Sequence, residues 1–347
     1  MRFVVVFQSH IISRVVFKAY EVFYCLEDCN RTSPEIRGID LLSRQGANMA
    51  ATGRPNQGIE LSVVIPCYNG AATIGELLEA LANQEWSKPW EVVVANNGCT
   101  DNTLDIVAQY KSRIPNLRVI DASQRRGQPY ALNVGVEAAA SPNIAFCDAD
   151  DVVGEGYVAA IGEALEKHDF VACRLDVKKL NPGWLTANRT FPQATEVQRY
   201  YYPPFMAHAG GGTIGLKRRL WQQVGGVDET LPYLHDTDLC WKLQLAGTTL
   251  EFTPNAVIHT RLRHSLKGIY RQACCWGEYN VILYKRYRPF GMPKLSPKTG
   301  IAAWLRLLRT LPAYWRMDLG GRAQFIWGLA WRIGRLKGSV KQRVFAL

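Results

Sequence analysis

The chain has 347 residues, 48% hydrophobic and 20% charged, enough for two folded domains or one large one. That apolar content excludes disorder throughout, and nine cysteines, odd in number and off framework spacing, exclude a disulfide scaffold and point to a reducing compartment. The net charge of +11 is uneven: from Arg261 onward there are 18 Lys/Arg against 2 Asp/Glu, while the first 260 residues carry 23 basic against 28 acidic.

Phe3 to Ser13 is the most apolar run near the start, but Gln8 and His10 interrupt it and Arg14 closes it. A spanning helix needs about 20 predominantly apolar residues, so no segment is expected to cross a membrane. The same run is too polar for a good signal peptide, and residues 1–48 read as a loosely attached extension. Leu61–Pro66 is a short apolar run closed by proline, the pattern of a buried strand. Ala71–Gln84 carries Ile74, Leu77, Leu78 and Leu81 at helical spacing. Trp90–Ala95 is a second strand, stopped by the turn-forming Asn96-Asn97-Gly98. Asp101–Lys111 reads as a helix with Thr100 or Asp101 as N-cap, and Leu117–Ile120 as a third strand. Pro129 suits the first turn of a helix running to Ala140. A fourth strand, Asn143–Cys147, ends in Asp148-Ala-Asp-Asp151 and is followed by a helix (156–167) and a strand (170–175). Such βα units predict an α/β fold with a mostly parallel sheet, whose ligands bind beyond the carboxyl ends of the strands.

Residues 176–210, rich in Pro, Tyr and Asn, break this rhythm and read as a loop-bearing insert. Order returns at Gly211–Val224, and Asp236–Leu245 reads as a helix. The chain thus divides into an N-terminal extension (1–60), an α/β domain (61–260) and a basic helical C-terminal region (261–347). In the last, Phe325, Leu329 and Ile333 recur every four residues beside Arg322, Arg332, Arg335 and Lys337, with Trp304, Trp315, Trp327 and Trp331 nearby. This is the pattern of a basic amphipathic helix at an anionic membrane surface, or of a helix packed on the domain with a solvated basic face.

The acidic cluster is the strongest chemical feature. Three carboxylates at one strand end repel unless a cation or donors compensate, and Mg²⁺ or Mn²⁺ takes one or two carboxylates with phosphate oxygens and water. A D-x-D in that place suggests a metal–diphosphate clamp; the alternative is a solvated turn capping the helix near Gly156. Asp236, at a helix start, is either an N-cap or a general base facing an acceptor hydroxyl. Asp238 suits the helix dipole without further function.

Six pieces in order resemble the family 2 glycosyltransferases of the GT-A fold: Val63-Val-Ile-Pro66-Cys-Tyr68-Asn69, Val92 through Asn96-Asn97 to Asp101, Arg126-Gly127 with Asn133, Asp148-Ala-Asp150, Gly211-Gly212, and Gly225-Gly-Val-Asp228 with Asp236-Thr-Asp238. The resemblance covers about residues 61–260. It implies a Rossmann-like nucleotide-sugar-binding domain and an inverting, Mg²⁺- or Mn²⁺-dependent transferase. Pro66, Tyr68, Asn96, Asn97, Arg126, Gly127, Asn133, Asp148, Gly211 and Gly212 would then line the donor, Asp150 would ligate the metal, and Asp236 would act as base. The implied acceptor is a lipid-linked or cell-envelope glycan, and the implied location cytoplasmic, peripheral at the inner face of the cell membrane.

Two positions depart from the family pattern: Asn96-Asn97 replaces an acidic pair that commonly helps read the base, and His235 replaces an acidic neighbour of the base. These departures motivate a rival reading, a nucleotide-sugar-binding protein without turnover. His259 sits where many members place a metal or diphosphate ligand. Gln272-Ala-Cys-Cys-Trp276 partly resembles the Q-x-x-R-W of processive synthases, but Cys275 replaces the arginine, so no polymerisation is expected. Gly210–Gly215 fits G-x-G-x-x-G outside a βαβ start and is no dinucleotide motif. Neither Cys25/Cys29 nor Cys274/Cys275 has the partners of a zinc site. No nucleic-acid-binding module appears.

Overall fold

A computed structural model of the chain describes residues 58–187 and 189–346; the extension 1–48, with Cys25 and Cys29, lies outside the described residues. The strands are β1 (Leu61–Cys67), β2 (Trp90–Asn96), β3 (Arg118–Asp121), β4 (Asn143–Phe146), β5 (Val152–Val153), β6 (Phe170–Asp176), β7 (Gln198–Tyr201), β8 (Pro204–His208), β9 (Ile214–Lys217) and β10 (Glu251–His259). The helices are α1 (Ile74–Ala82), α2 (Thr103–Gln109), α3 (Gln128–Ala138), α4 (Tyr157–Lys167), α5 (Gly183–Thr186), α6 (Arg218–Gln223), α7 (His235–Leu245), α8 (Leu266–Tyr287), α9 (Pro297–Thr310) and α10 (Leu319–Gln342).

Eight strands form one sheet in the order β3-β2-β1-β4-β9-β6-β10-β5, and β7 pairs with β8 in a separate hairpin. β1 is parallel to β2 and β4, β2 to β3, and β6 to β10, while β9 and β5 run antiparallel to their neighbours. The sheet is thus mostly parallel, as the βα rhythm predicts. β1 is buried along its whole length, because helices cover both faces. Val63 and Ile65 face a cluster with Leu77 and Leu81 of α1 and Ile161 and Leu165 of α4. Val64 faces the other cluster, with Leu132 of α3, Leu239 and Trp241 of α7, and Val281 and Tyr287 of α8.

The insert holds more order than its composition suggests, since β7 and β8 form a hairpin within it. Its aromatics are the reason: Tyr200 and Phe205 pack edge-on against Trp241 at 4.8 and 4.9 Å. The N-cap of α2 is Asn102, not Thr100 or Asp101 as expected, although Asp101 Oδ1 accepts from the Thr103 amide at 3.2 Å.

In the C-terminal region α10 packs along α8. An added Cβ at Gly334 would lie 2.0 Å from the Cys274 carbonyl oxygen, and one at Gly277 2.1 Å from that of Trp331, so the two backbones touch where side chains are absent. Glu278 of α8 pairs with Lys337 and Lys341 of α10 at 3.0 and 2.8 Å. Phe325 is buried, and Leu329 and Ile333 are half-buried. Of the two readings of this stripe, the burial of these residues fits the packed helix. Among the described residues, no helix is long and apolar enough to cross a membrane.

Candidate active site

The parallel strands β1, β2 and β4 bring their carboxyl ends to one edge, and the loops leaving them carry most of the expected site residues. Asp148 follows β4. Its Oδ1 accepts from Gln128 Nε2 at the start of α3, at 2.7 Å. Gly212 backs onto it so closely that an added Cβ would lie 2.9 Å from the carboxyl carbon, which explains a glycine there. Gly211 donates its amide proton to Asp236 Oδ2 at 2.9 Å. The Gly211-Gly212 turn thus joins the β4 loop to the first turn of α7.

Burial, reinforced by the charges of Asp150 and Asp236 and opposed by Gln128 and Arg263, pushes the Asp148 carboxyl up to about 7. Asp150 meets Arg263 at 3.5 Å, and its carbonyl accepts from Arg261 Nε at 3.1 Å. The fourth residue of the cluster is different in kind. Asp151 is buried and accepts from Thr260 Oγ1 and the Arg261 amide at 3.1 and 2.8 Å, tying the β4 loop to the end of β10. The cluster is thus divided into an inward anchor and carboxylates left facing one another, not a uniformly solvated turn.

Asp236 is the second residue of α7, so it is not the N-cap. That position is Leu234, held at a left-handed φ of 59°, a conformation costing a bulky residue about 1–3 kcal/mol. Asp236 Oδ1 accepts from the Thr237 amide at 2.7 Å. His235 beside it is buried, and burial lowers its pKa, so it stands there uncharged. His208 at the end of β8, which the sequence did not single out, is pushed down to about 4 by burial, against the pull of Asp236. The candidate base therefore lies between neutral imidazoles.

A second group surrounds the ends of β1 and β2. Arg126 lies over the exposed Tyr68 ring at 4.0 Å, and its Nη1 donates to the Asn97 carbonyl at 3.3 Å. Asn97 is buried, and its amide is occupied: Nδ2 donates to the Ala122 and Arg125 carbonyls at 2.6 and 2.7 Å, and Oδ1 accepts from Gly127 at 2.8 Å. It holds the 122–127 loop, and both of its amide protons are engaged. Asn96 Oδ1 accepts from the Cys99 amide at 2.8 Å. Pro66 is buried within β1, opposite Ala95. Asn133 binds the Val227 backbone and Glu229 at 3.0 to 3.2 Å, securing the Gly225-Gly226 loop.

His259 ends β10, its Nδ1 2.6 Å from Asp176 Oδ2, a contact that orients the ring. Trp276 meets Trp327 edge-on at 5.4 Å. Asp238 is fully buried: its Oδ1 accepts from Arg286 Nη1 and the Tyr287 hydroxyl, both at 2.8 Å, and Arg286 Nη2 reaches Asp228 at 2.8 Å. That network fastens α8 to the helix bearing Asp236, a role the helix-dipole reading did not anticipate.

Among the described residues no group of three or more His, Cys, Asp or Glu side chains is arranged to hold a metal alone. The oxygen-only chemistry of Asp148 and Asp150, and the electrostatic cost of placing them near Asp236, fit a hard divalent cation completed by phosphate oxygens and water.

Residues 62–224 match the family model described as Glycosyl transferase family 2. The uncharacterized glycosyltransferase YibD of Escherichia coli (strain K12) is 28% identical over 231 residues, 62% of each chain. A poly-beta-1,6-N-acetyl-D-glucosamine synthase of Staphylococcus epidermidis is 23% identical over 244 residues, 68% of this chain and 58% of that one. The chain thus spans about 60% of the length of these curated relatives. In fold it is similar to the mannosyltransferase PcManGT from Pyrobaculum calidifontis, solved with GDP-Man and Mn2+, with a TM-score of 0.57 at 18% identity over 96% of this chain and 98% of that one. The expected GT-A fold is the fold observed.

Proposed function

Since residues 62–224 match the model of the family 2 glycosyltransferases, we propose that the chain transfers a sugar from a nucleotide-sugar to an acceptor hydroxyl with inversion, aided by Mg²⁺ or Mn²⁺. The observation that carries this reading is the convergence of Asp148 and Asp236 on the Gly211-Gly212 turn at the carboxyl edge of the sheet, with Asp150 near enough to Asp148 for their charges to interact. Asp150, with Asp148 beside it, would hold the cation, whose chemistry is to stabilise charge gathering on the leaving diphosphate. The exposed Tyr68 ring under Arg126 offers a face for the base and a cation for the diphosphate. Asp236, fixed by the Gly211 and Thr237 amides, would take the proton of the acceptor hydroxyl. His259, oriented by Asp176, is a further candidate ligand. Arg263 and Gln128 join this set as residues the sequence alone did not single out.

Asp150→Ala should abolish the increase in donor affinity that Mn²⁺ gives the unaltered protein, read by titration calorimetry with a panel of nucleotide-sugars. Cation affinity should also rise with pH through about 7, because the cation displaces the proton that Asp148 holds below that pH. A variant whose donor affinity still responds to Mn²⁺ would remove Asp150 from the site.

The same reading places the acceptor among cell-envelope or lipid-linked glycans, reached from a membrane surface. Here α9 replaces α10 as the contact: Ile301, Leu305 and Leu308 are exposed along one side, continued by Trp315, with Lys298, Arg306 and Arg309 adjoining. Each Lys or Arg near an anionic surface contributes about 1 kcal/mol. The chain should float with anionic vesicles at low salt, and Leu305→Glu with Leu308→Glu should abolish this. Equal flotation of that variant would overturn the α9 contact.

A further inference from the structure

A partly open cavity of about 160 Å³ lies between α9 and α10, away from the acidic cluster, and its lining includes Tyr202, Ala303, Trp304, Trp331, Arg332 and Arg335. Arg335 is 1% exposed, among the most deeply buried large side chains. Its Nη1 donates to Asn280 Oδ1 on α8. Its Nε and Nη2 have no hydrogen-bond partner among the described residues. These two donors form one edge of the guanidinium, the edge that receives two oxygens of a single oxyanion side by side. Arg332 adds another unpartnered Nε. Arg306 is close enough to Arg332 for their charges to repel.

A charge buried in this way needs a counter-charge, and other cations of the same helix have one: Lys337 and Lys341 are both paired with Glu278 of α8. No carboxylate pairs with Arg332 or Arg335 among the described residues. The Trp331 and Tyr202 rings lie 4.7 and 5.0 Å from the Arg335 guanidinium carbon. They support the cation through their faces but leave the N–H edge unbonded. Burial lowers the Arg335 pKa to about 10, which still leaves it charged at neutral pH.

We propose that this cavity is a binding site for a phosphate group, received by the Nε–Nη2 edge of Arg335 with Arg332 alongside and flanked by the aromatic walls of Tyr202, Trp304 and Trp331. A cavity of this size holds several waters, and so a phosphate-sized anion with a short apolar attachment. The phosphate is either free or the headgroup of a phospholipid, and the site is independent of the transfer reaction.

Thermal shift and tryptophan fluorescence of the full chain, titrated with inorganic phosphate at constant ionic strength, test the proposal. The unaltered protein should be stabilised saturably. Arg335→Gln should weaken that response about tenfold or more, the loss expected when charge-assisted hydrogen bonds are removed. Arg332→Gln, at a half-buried position, should weaken it in the same direction should Arg335→Gln fold poorly, and Lys111→Gln, exposed on the α/β domain, should leave it unchanged. Vesicles of phosphatidylcholine with and without phosphatidic acid separate the sources. Tighter, Arg335-dependent binding to the phosphatidic acid vesicles assigns a lipid headgroup; a response to inorganic phosphate alone assigns free phosphate. The proposal is overturned if the unaltered protein responds to neither probe, or if all variants respond as it does.

Discussion

Asp236→Asn should lower sugar transfer by about 10²–10⁴-fold, the range a positioned general base supplies, while donor affinity stays nearly unchanged. The asparagine keeps an oxygen for the Gly211 amide, which Asp236 Oδ2 accepts at 2.9 Å, and for the Thr237 amide at 2.7 Å, so the turn and the helix start should persist. What it loses is a carboxylate able to take a proton, and that loss acts only as the acceptor hydroxyl attacks. The effect therefore belongs in kcat, with the donor Kd as the control. His235 and His208 should not rescue the variant, because burial lowers the proton affinity of both rings and it is Asp236 that the Gly211 amide fixes. Turnover within a few-fold of the unaltered protein would exclude Asp236 as base.

The largest stability effect should come from Arg286→Ala. Arg286 joins Asp238 and Asp228 with two bonds of 2.8 Å, and Asp238 is fully buried. Truncation leaves the buried Asp238 with Lys242, 3.2 Å away, and the Tyr287 hydroxyl to compensate. Breaking a buried pair from one side costs about 3–5 kcal/mol, which for a chain of this size lowers the melting temperature by roughly 4–7 °C. The check is calorimetric unfolding. Because the network fastens α8 to the helix that carries Asp236, the variant should also lose activity at temperatures where it is still folded. An unfolding midpoint unchanged within a degree or two would show that the network contributes little.

Much of the sheet was legible in the sequence because burial on both faces writes a continuous apolar run, as in Leu61–Cys67 and Trp90–Ala95. The order of the strands was not, since β9 enters between β4 and β6 from beyond the insert, and nothing local records that pairing. The β7–β8 hairpin was missed for a related reason. Its tyrosines and prolines read as loop until Trp241, some 40 residues later, supplies the surface they pack on. Asp236 and the Asp148–Asp150 pair were legible as types at element ends, but their contact through Gly211 and Gly212 is a long-range fact. Asp238 shows the limit most clearly. Its position fits a helix dipole, and only the arrival of Arg286 from another helix reveals an interior anchor. Asn97 is the converse: a residue at a binding-loop position whose amide is taken up by its own fold. On α10, periodicity marked an apolar face correctly but not whether lipid or α8 covers it. The glycines at 277 and 334 carry that information.

The most direct measurement is release of nucleoside diphosphate from a panel of nucleotide-sugars by the full chain, with Mn²⁺ or Mg²⁺ and with chelator, beside Asp236→Asn and Asp150→Ala. The convergence of Asp148, Asp150 and Asp236 at the sheet edge predicts that at least one donor turns over with the cation, that chelator stops it, and that both variants lose it. Donor binding without turnover under every condition, or turnover that neither chelator nor either substitution alters, would contradict a metal-assisted transferase centred on these three carboxylates.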